Sequence, residues 1–382
     1  MWRIILWLTM LALIASCFQS DNPAENRARR AAKAKGNILV GAAGPWVTLD
    51  RMLWQGIQLA AEEIDANGGI LGRQLQIVKE DDQGSVREGQ IVAERLAKNP
   101  DMVAVLGHVD SYVSVSTSIL YEYFGILMLS PTSTSTKLTN QGLRRVFRIV
   151  PETEAFAKTL AELCEVQGFR AMMIYNEDMD VAKDLANQFD DEADARGIDI
   201  LDRLTYEATS GPKIFKKDLR YWKEMFTFDA IFLSGTLPEA ALFIEEARKQ
   251  GIMVPIVSGD GIDAPRLLEL VSPEEDSIFV ATTFRSIDDR QEVQAFVKDF
   301  SEKYGSPPDT AAALGYDALK ILAAAMEKAG TTVPDKIAET LRTSQGWPGV
   351  TGIHIFDAHG NVMGPEIRIN RVANGRFQHF LF

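Results

Sequence analysis

Cysteine is almost absent. Of 382 residues only Cys17 and Cys164 carry a thiol, so at most one disulfide could form and a disulfide-held scaffold is excluded. Histidine is nearly as scarce: His108, His354, His359 and His379 are the four, and none stands at metal-ligand spacing from another histidine or a cysteine. Basic charge is in deficit, 40 Lys and Arg against 53 Asp and Glu, for a formal net charge of -13. No broad cationic face is left for nucleic-acid phosphates. Beyond residue 16 there is no run of about eighteen uncharged apolar residues, hence no later membrane-spanning helix is expected. The motifs GxGxxG, GxxxxGK[ST] and GxSxG are missing too, which removes the common marks of nucleotide binding and of a hydrolase nucleophile elbow.

What is present begins with an address. Arg3 supplies one positive charge, Ile4 to Ala15 is almost wholly apolar, and Ser16 and Cys17 end the run. This is the pattern of a secretory signal peptide over residues 1–17. At ~1.5 Å per helical residue the apolar run reaches only about 18 Å, too short for a ~30 Å hydrocarbon core. The segment Ile14 to Cys17 (IASC) resembles the lipobox of bacterial lipoproteins, in which the cysteine becomes the lipid-bearing first residue. Residues 18–36, rich in Ala, Arg and Lys, read as a tether in which helix is at most transient.

From residue 38 onward, short apolar runs alternate with amphipathic stretches of ten to fifteen residues. Strands are expected near 38–42, 75–78, 102–106, 126–129 and 146–150, and again at 171–175, 199–206, 229–233, 254–257 and 278–281, with helices between them. Two successive helices, 289–304 and 310–329, break the alternation, and short strands with turn signals at 357–360 and 373–375 close the chain. Repeated strand–helix–strand units imply parallel sheets covered on both faces. The fold class is therefore α/β, with two doubly wound parallel-sheet lobes. Ligands of such sheets bind at the carboxyl ends of the strands, and two facing sheets enclose a cleft.

Several blocks, in this order, carry a family resemblance: Gly41–Pro45 (GAAGP); Gly56 with Ala60–Gly72 (AAEEIDANGGILG); Glu80–Asp82 (EDD); Val105–His108 (VLGH); Tyr123–Pro131 (YFGILMLSP); Gly315–Ala318 (GYDA); and Gly349–Asp357 (GVTGIHIFD). The chain resembles the type I periplasmic binding proteins of the branched-chain amino-acid group, the receptors of ABC importers, from Ile38 to about Ile369. The resemblance implies lobe 1 from 37–147 plus 284–346, lobe 2 from 148–283 plus 347–382, and a three-strand hinge between them. It implies a small-molecule ligand (an amino acid or similar), ABC permease subunits as partners, a membrane link through lipid on Cys17, no cofactor and no metal. The location expected is the periplasm or cell surface.

Candidate site residues follow from strand ends and from the resemblance together. Ser111 lies between strand 102–106 and the helix at Val113, a hydroxyl where free N–H groups gather; it could equally be a plain N-cap. The loop Ser130–Ser135 (SPTSTS) could be solvated or could converge on a zwitterion. The resemblance gives Thr132 a backbone role and Thr134 a hydroxyl role, beside Ser111 as the carboxylate binder. Asp260, in Ser258–Gly261 (SGDG), matches the family's acidic partner of a ligand ammonium, though a bare turn is an alternative. Branched-chain binders carry an aromatic where this chain has Thr236, and another near Asp180 or Val181. Their disulfide positions correspond to Gly84 and Asp110. Leucine, isoleucine or valine therefore does not follow as the ligand. Trp46 and Tyr112 are the candidate walls of a side-chain pocket, or ordinary packing residues.

Cys164, on the apolar side of the helical run 160–166, reads as a small buried hydrophobe, and His108 as packed or hydrogen-bonded rather than catalytic. An enzyme, in the first instance a hydrolase, is the competing class; a lipid-anchored sensor of the same fold feeding a signalling receptor is the other. Metabolic labelling with a clickable palmitate analogue tests the anchor. Label should appear on the wild-type chain and disappear in Cys17→Ala, which should also leave the membrane fraction; an unlabelled, uncleaved wild type contradicts it.

Overall fold

The computed structural model describes residues 22–49 and 51–382; the expected signal segment and Cys17 lie outside the described residues. The first element is a helix, α1 (Pro23–Ala31), inside the segment expected as a tether. Asn22 caps it through its side-chain oxygen and Pro23 opens the first turn. Arg27 is 4% exposed. Its guanidinium donates to the carbonyls of Phe124, Asn99, Met102 and Ala97 at 2.6–2.8 Å. Several of these carbonyls end helices, where they lack intrahelical donors and carry the negative end of the dipole. The tether reading took the charged residues as solvated, whereas one of them is the plug that docks the helix.

Lobe 1 is built on β1 (Ile38–Gly44), β2 (Leu75–Asp81), β3 (Met102–Leu106), β4 (Leu127–Ser130) and β5 (Val146–Arg148). All pair in parallel in the order β2-β1-β3-β4-β5. The helices α2 (Leu53–Ala66), α3 (Val86–Lys98) and α4 (Ser111–Phe124) follow successive strands. Strand β3 is buried at every position, which is why it reads as an unbroken apolar run.

Lobe 2 begins with α5 (Thr153–Gln167) and continues through β6 (Ala171–Glu177), α6 (Asp180–Ala195), β7 (Asp199–Tyr206), α7 (Pro212–Met225), β8 (Ala230–Ser234), α8 (Glu239–Lys249), β9 (Ile256–Ser258), the short α9 (Pro265–Leu270) and β10 (Ile278–Thr282). Cys164, on α5, is fully buried, and burial pushes its thiol pKa well up. The chain then returns to lobe 1 with α10 (Gln291–Tyr304), α11 (Thr310–Ala329) and α12 (Pro334–Thr343). A small antiparallel sheet follows, β11 (Trp347–Gly349), β12 (Gly352–Phe356) and β13 (Val362–Met363), before β14 (Arg368–Ala373) and β15 (Arg376–Phe380) rejoin lobe 2. The lobe 2 order is β15-β14-β10-β9-β8-β6-β7, parallel except for the last two strands of the chain. The chain thus crosses between sheets three times.

Helix α11 lies against α2 by backbone approach. A Cβ on Gly56 would collide with the Ala312 carbonyl, and one on Gly315 with the Leu53 carbonyl. That is the physical content of two sequence blocks that otherwise look unremarkable. Arg148, fully buried at the end of β5, donates to the Ser135 carbonyl at 2.7 Å and to Thr139 Oγ1 at 2.6 Å, and pairs with Glu152. It thereby anchors the hydroxyl-rich loop at the first crossover.

Arg27→Ala should lower unfolding stability by about 2–3 kcal/mol, the scale of losing charge-assisted bonds to buried carbonyls. It should also raise amide exchange across residues 23–31. Denaturant melts with hydrogen exchange check this; wild-type protection of α1 in the variant would contradict the plug.

Candidate ligand cleft

The carboxyl ends of β3 and β4 deliver one wall. Helix α4 starts with Asp110 as N-cap and Ser111 as first helical residue, and the Asp110 side chain makes no capping bond. So Ser111 is not the N-cap that one reading allowed. It is 4% exposed, and its hydroxyl has no hydrogen-bond partner among the described residues. An uncapped helix start with free N–H groups and a spare hydroxyl is a ready anion cradle.

The loop after β4 lies against it. Thr132 Oγ1 donates to the Val109 carbonyl at 2.9 Å, which commits that hydroxyl and leaves Thr132 its backbone. Thr134 is buried; its hydroxyl accepts from Thr153 Oγ1 at 3.1 Å, leaving its own proton to donate. Ser133 Oγ is buried without a partner among the described residues. The structure therefore ties Thr132 to the segment just before Ser111 and holds Thr134 against Thr153 at the first crossover.

Trp46 sits beside them at the end of β1, with its benzo edge over Gly44, but much of it is spoken for. Its indole N–H donates to the Glu80 carbonyl at 2.8 Å, Trp54 packs on it at 5.7 Å, and Lys79 Nζ lies 5.3 Å from its ring. Tyr112 Oη donates to the Gly84 carbonyl at 2.6 Å. Burial and the carboxylates of Asp110, Asp82, Glu177 and Asp180 push its pKa up to about 12, the last two acting from lobe 2 across the gap. His108 is fully buried between Asp82 (Nδ1 to Oδ2, 2.5 Å) and Tyr121 (Nε2 to Oη, 3.0 Å), a packed and hydrogen-bonded group away from solvent.

The facing wall comes from the ends of β6, β8 and β9. Thr236 is not a free contact: its N–H (3.0 Å) and hydroxyl (2.9 Å) both donate to Glu177 Oε2. Glu177 is 2% exposed, and burial raises its pKa against those two bonds. Asp260 opens a 3-10 turn packed on the Gly235–Thr236 loop, since a Cβ on Gly261 would strike the Gly235 carbonyl. Burial raises the Asp260 pKa, with Arg51 working against the rise. Arg51 itself reaches over from lobe 1 and donates from Nη2 to the Asp260 carbonyl at 2.9 Å. No group of three or more His, Cys, Asp or Glu residues that could hold a metal occurs among the described residues.

A model of the family described as "Periplasmic binding protein" matches residues 38–376. The chain belongs to the periplasmic binding protein family. An ABC transporter substrate-binding protein from Desulfitobacterium hafniense, solved with Leu, is 35% identical, with TM-score 0.80 over 90% of this chain and 100% of that one. The leucine-binding protein LivK of Thermotoga maritima is 27% identical, with TM-score 0.82 over 90% and 98%. An "Amino acid binding protein" of Pseudomonas aeruginosa is 27% identical over 81% of this chain and 83% of its own. The chain is a type I solute-binding protein of this family, extracytoplasmic in kind, and a binder rather than an enzyme.

Sequence reasoning missed Glu177, Arg51 and Asp110. Glu177 ends a strand and was legible in principle, as the second residue after the apolar run 171–175. Arg51 was not, because its partner is 209 residues away. Asp110 is partly exposed, and burial together with Asp82 pushes its pKa up to about 6. A folded-state pKa above the unfolded one means the folded chain binds the proton more tightly. Stability is then lost as pH rises from about 4 to 6. Asp110→Asn should therefore exceed wild type in ligand-free stability by about 1–2 kcal/mol at pH 7, allowing for solvent screening. The difference should vanish below about pH 4. Urea melts at the two pH values decide it; equal stability at pH 7 contradicts the assignment.

Proposed function

We propose that this chain is a lipid-anchored receptor, held through Cys17, that captures an amino acid or similar zwitterion and presents it to ABC permease subunits. The carrying observation is the pairing of walls: an uncapped helix start with the spare Ser111 hydroxyl on lobe 1, opposite the carboxyl groups of Glu177 and Asp260 on lobe 2. The ligand carboxylate sits on the α4 amides, Ser111 and Thr134, with Thr132 contributing backbone. Its ammonium faces Asp260, with Glu177 behind Thr236. The Desulfitobacterium hafniense neighbour was solved with Leu, which supports an α-amino acid. The side-chain end is different: Thr236 bound to Glu177 makes that wall polar and small, with Tyr112 and the edge of Trp46 opposite.

A thermal-shift screen of amino acids and small carboxylates, followed by calorimetry on the best hit, tests this. Ser111→Ala should weaken binding about ten- to a hundredfold, one hydrogen bond to a charged group. Asp260→Asn should cost on the order of 2–5 kcal/mol, because the ammonium is left unpaired in a closed cleft. That variant should nonetheless bind the deaminated analogue as well as wild type does. Wild-type affinity of Asp260→Asn for the full ligand would remove the ammonium from lobe 2.

A further inference from the structure

A second cavity, of about 320 Å³, opens where the second crossover leaves β10, and its lining reaches Asp263, three residues beyond Asp260. Its walls come from three parts of the chain: the crossover itself (Phe284, Arg285), the loop before α11 (Pro308), and lobe 2 (Leu268, Phe377, His379). Most of that lining is apolar. The exception is the Arg285 guanidinium, with His379 beside it. Arg285 Nε and His379 Nδ1 are buried without a hydrogen-bond partner among the described residues. Within 4 Å the Arg285 guanidinium has one carboxylate among the described residues, Asp288 Oδ2 at 3.9 Å, and Glu366 adds a negative field from further off. The Asp288 carboxylate is already held by Arg290, through its N–H at 3.0 Å and Nε at 3.2 Å.

The acids that share the cavity do not fill the gap. Asp263 accepts from Thr310 Oγ1 at 2.5 Å, and Asp309 accepts from the amides of Met52 and Ala312 at 3.0 and 2.7 Å. Arg368 adds a further positive field, and together with burial it lowers the Arg285 pKa. A buried guanidinium edge with no acceptor is costly, and an anion there would supply one. The volume is at the small end of ligand pockets, enough for a compact organic molecule.

We propose that this hinge cavity is a second small-molecule site, taking an organic carboxylate with a compact apolar body. The carboxylate bonds to Arg285, and the body lies against Phe284, Leu268 and Phe377. Because the walls belong to both lobes and the crossover, an occupant ties lobe 1 to lobe 2 at the hinge. Such a ligand would bias opening and closing to the extent that it binds one arrangement better.

Phenylacetate is the probe, titrated by calorimetry and saturation-transfer NMR into the full chain, with phenylacetamide as the uncharged control. Expected is saturable phenylacetate binding, with the amide at least about tenfold weaker. Arg285→Gln removes the donor. Leu268→Trp fills the cavity while keeping every charge, at a partly exposed position that tolerates bulk. Each should weaken phenylacetate at least about tenfold with an unchanged circular dichroism spectrum, whereas Ser111→Ala, which disables the cleft, should leave phenylacetate binding intact. Hydrogen exchange of residues 284–287 and 307–310 should slow on binding. The absence of saturable binding overturns the proposal. So does binding that ignores both Leu268→Trp and Arg285→Gln, and so does binding lost in Ser111→Ala, which would place the probe in the cleft.

Discussion

Charge left unbalanced across a gap is the constraint from which the rest of this molecule follows. On one side, α4 begins without a side-chain cap, so its first N–H groups and the Ser111 hydroxyl have no hydrogen-bond partner among the described residues. On the other side, Glu177 and Asp260 are carboxyls whose burial raises their pKa values. Neither arrangement is favourable in an isolated lobe, since desolvated donors and carboxylates are costly without partners. A molecule carrying both charges resolves both at once, and only when the lobes face each other. Two separate sheets, three crossovers and strand ends that meet at one gap are the architecture that such a ligand demands.

The supporting parts show how that gap is held to shape. Arg148 fixes the Ser130–Ser135 loop by bonding its carbonyls from a fully buried position, so the hydroxyls are set by a core residue instead of by the loop itself. Gly56 and Gly315 let α11 lie on α2 at backbone distance, which binds the late helices to lobe 1. Arg51 spans from lobe 1 to the Asp260 carbonyl and partly offsets the acidic wall without bonding its carboxylate, so the wall retains an appetite for a cation.

Much of this was readable in the sequence, for physical reasons. Strands buried on both faces must be continuous apolar runs, so β1, β3, β4, β6, β8 and β10 announce themselves, and the helices between them force parallel pairing. Ser111, Thr132, Thr134 and Asp260 were named as candidates from strand ends together with the family resemblance, since strand ends are where such sheets bind. Thr236 and Trp46 were located but not understood: the first spends its hydroxyl on Glu177 and the second its N–H on Glu80. Partnerships of this kind depend on residues dozens of positions away, which no local pattern encodes. The same is true of Arg27, whose four carbonyl acceptors lie 70 to 97 residues downstream, so that a docked helix looks like a charged linker.

Proton linkage reports on the central claim most directly. Glu177 and Asp260 hold protons more tightly than ordinary carboxyls in the free protein, and an ammonium brought against them favours their ionised forms. Calorimetric titration of the amino-acid ligand at about pH 5, in buffers of different ionisation enthalpy, measures protons exchanged on binding. The Asp110→Asn background removes a carboxyl at the start of α4 that would respond in the opposite sense. The account predicts net proton release and an affinity that rises with pH through this range. Proton uptake, or no exchange at all, would mean that the ammonium does not meet the carboxyls of lobe 2.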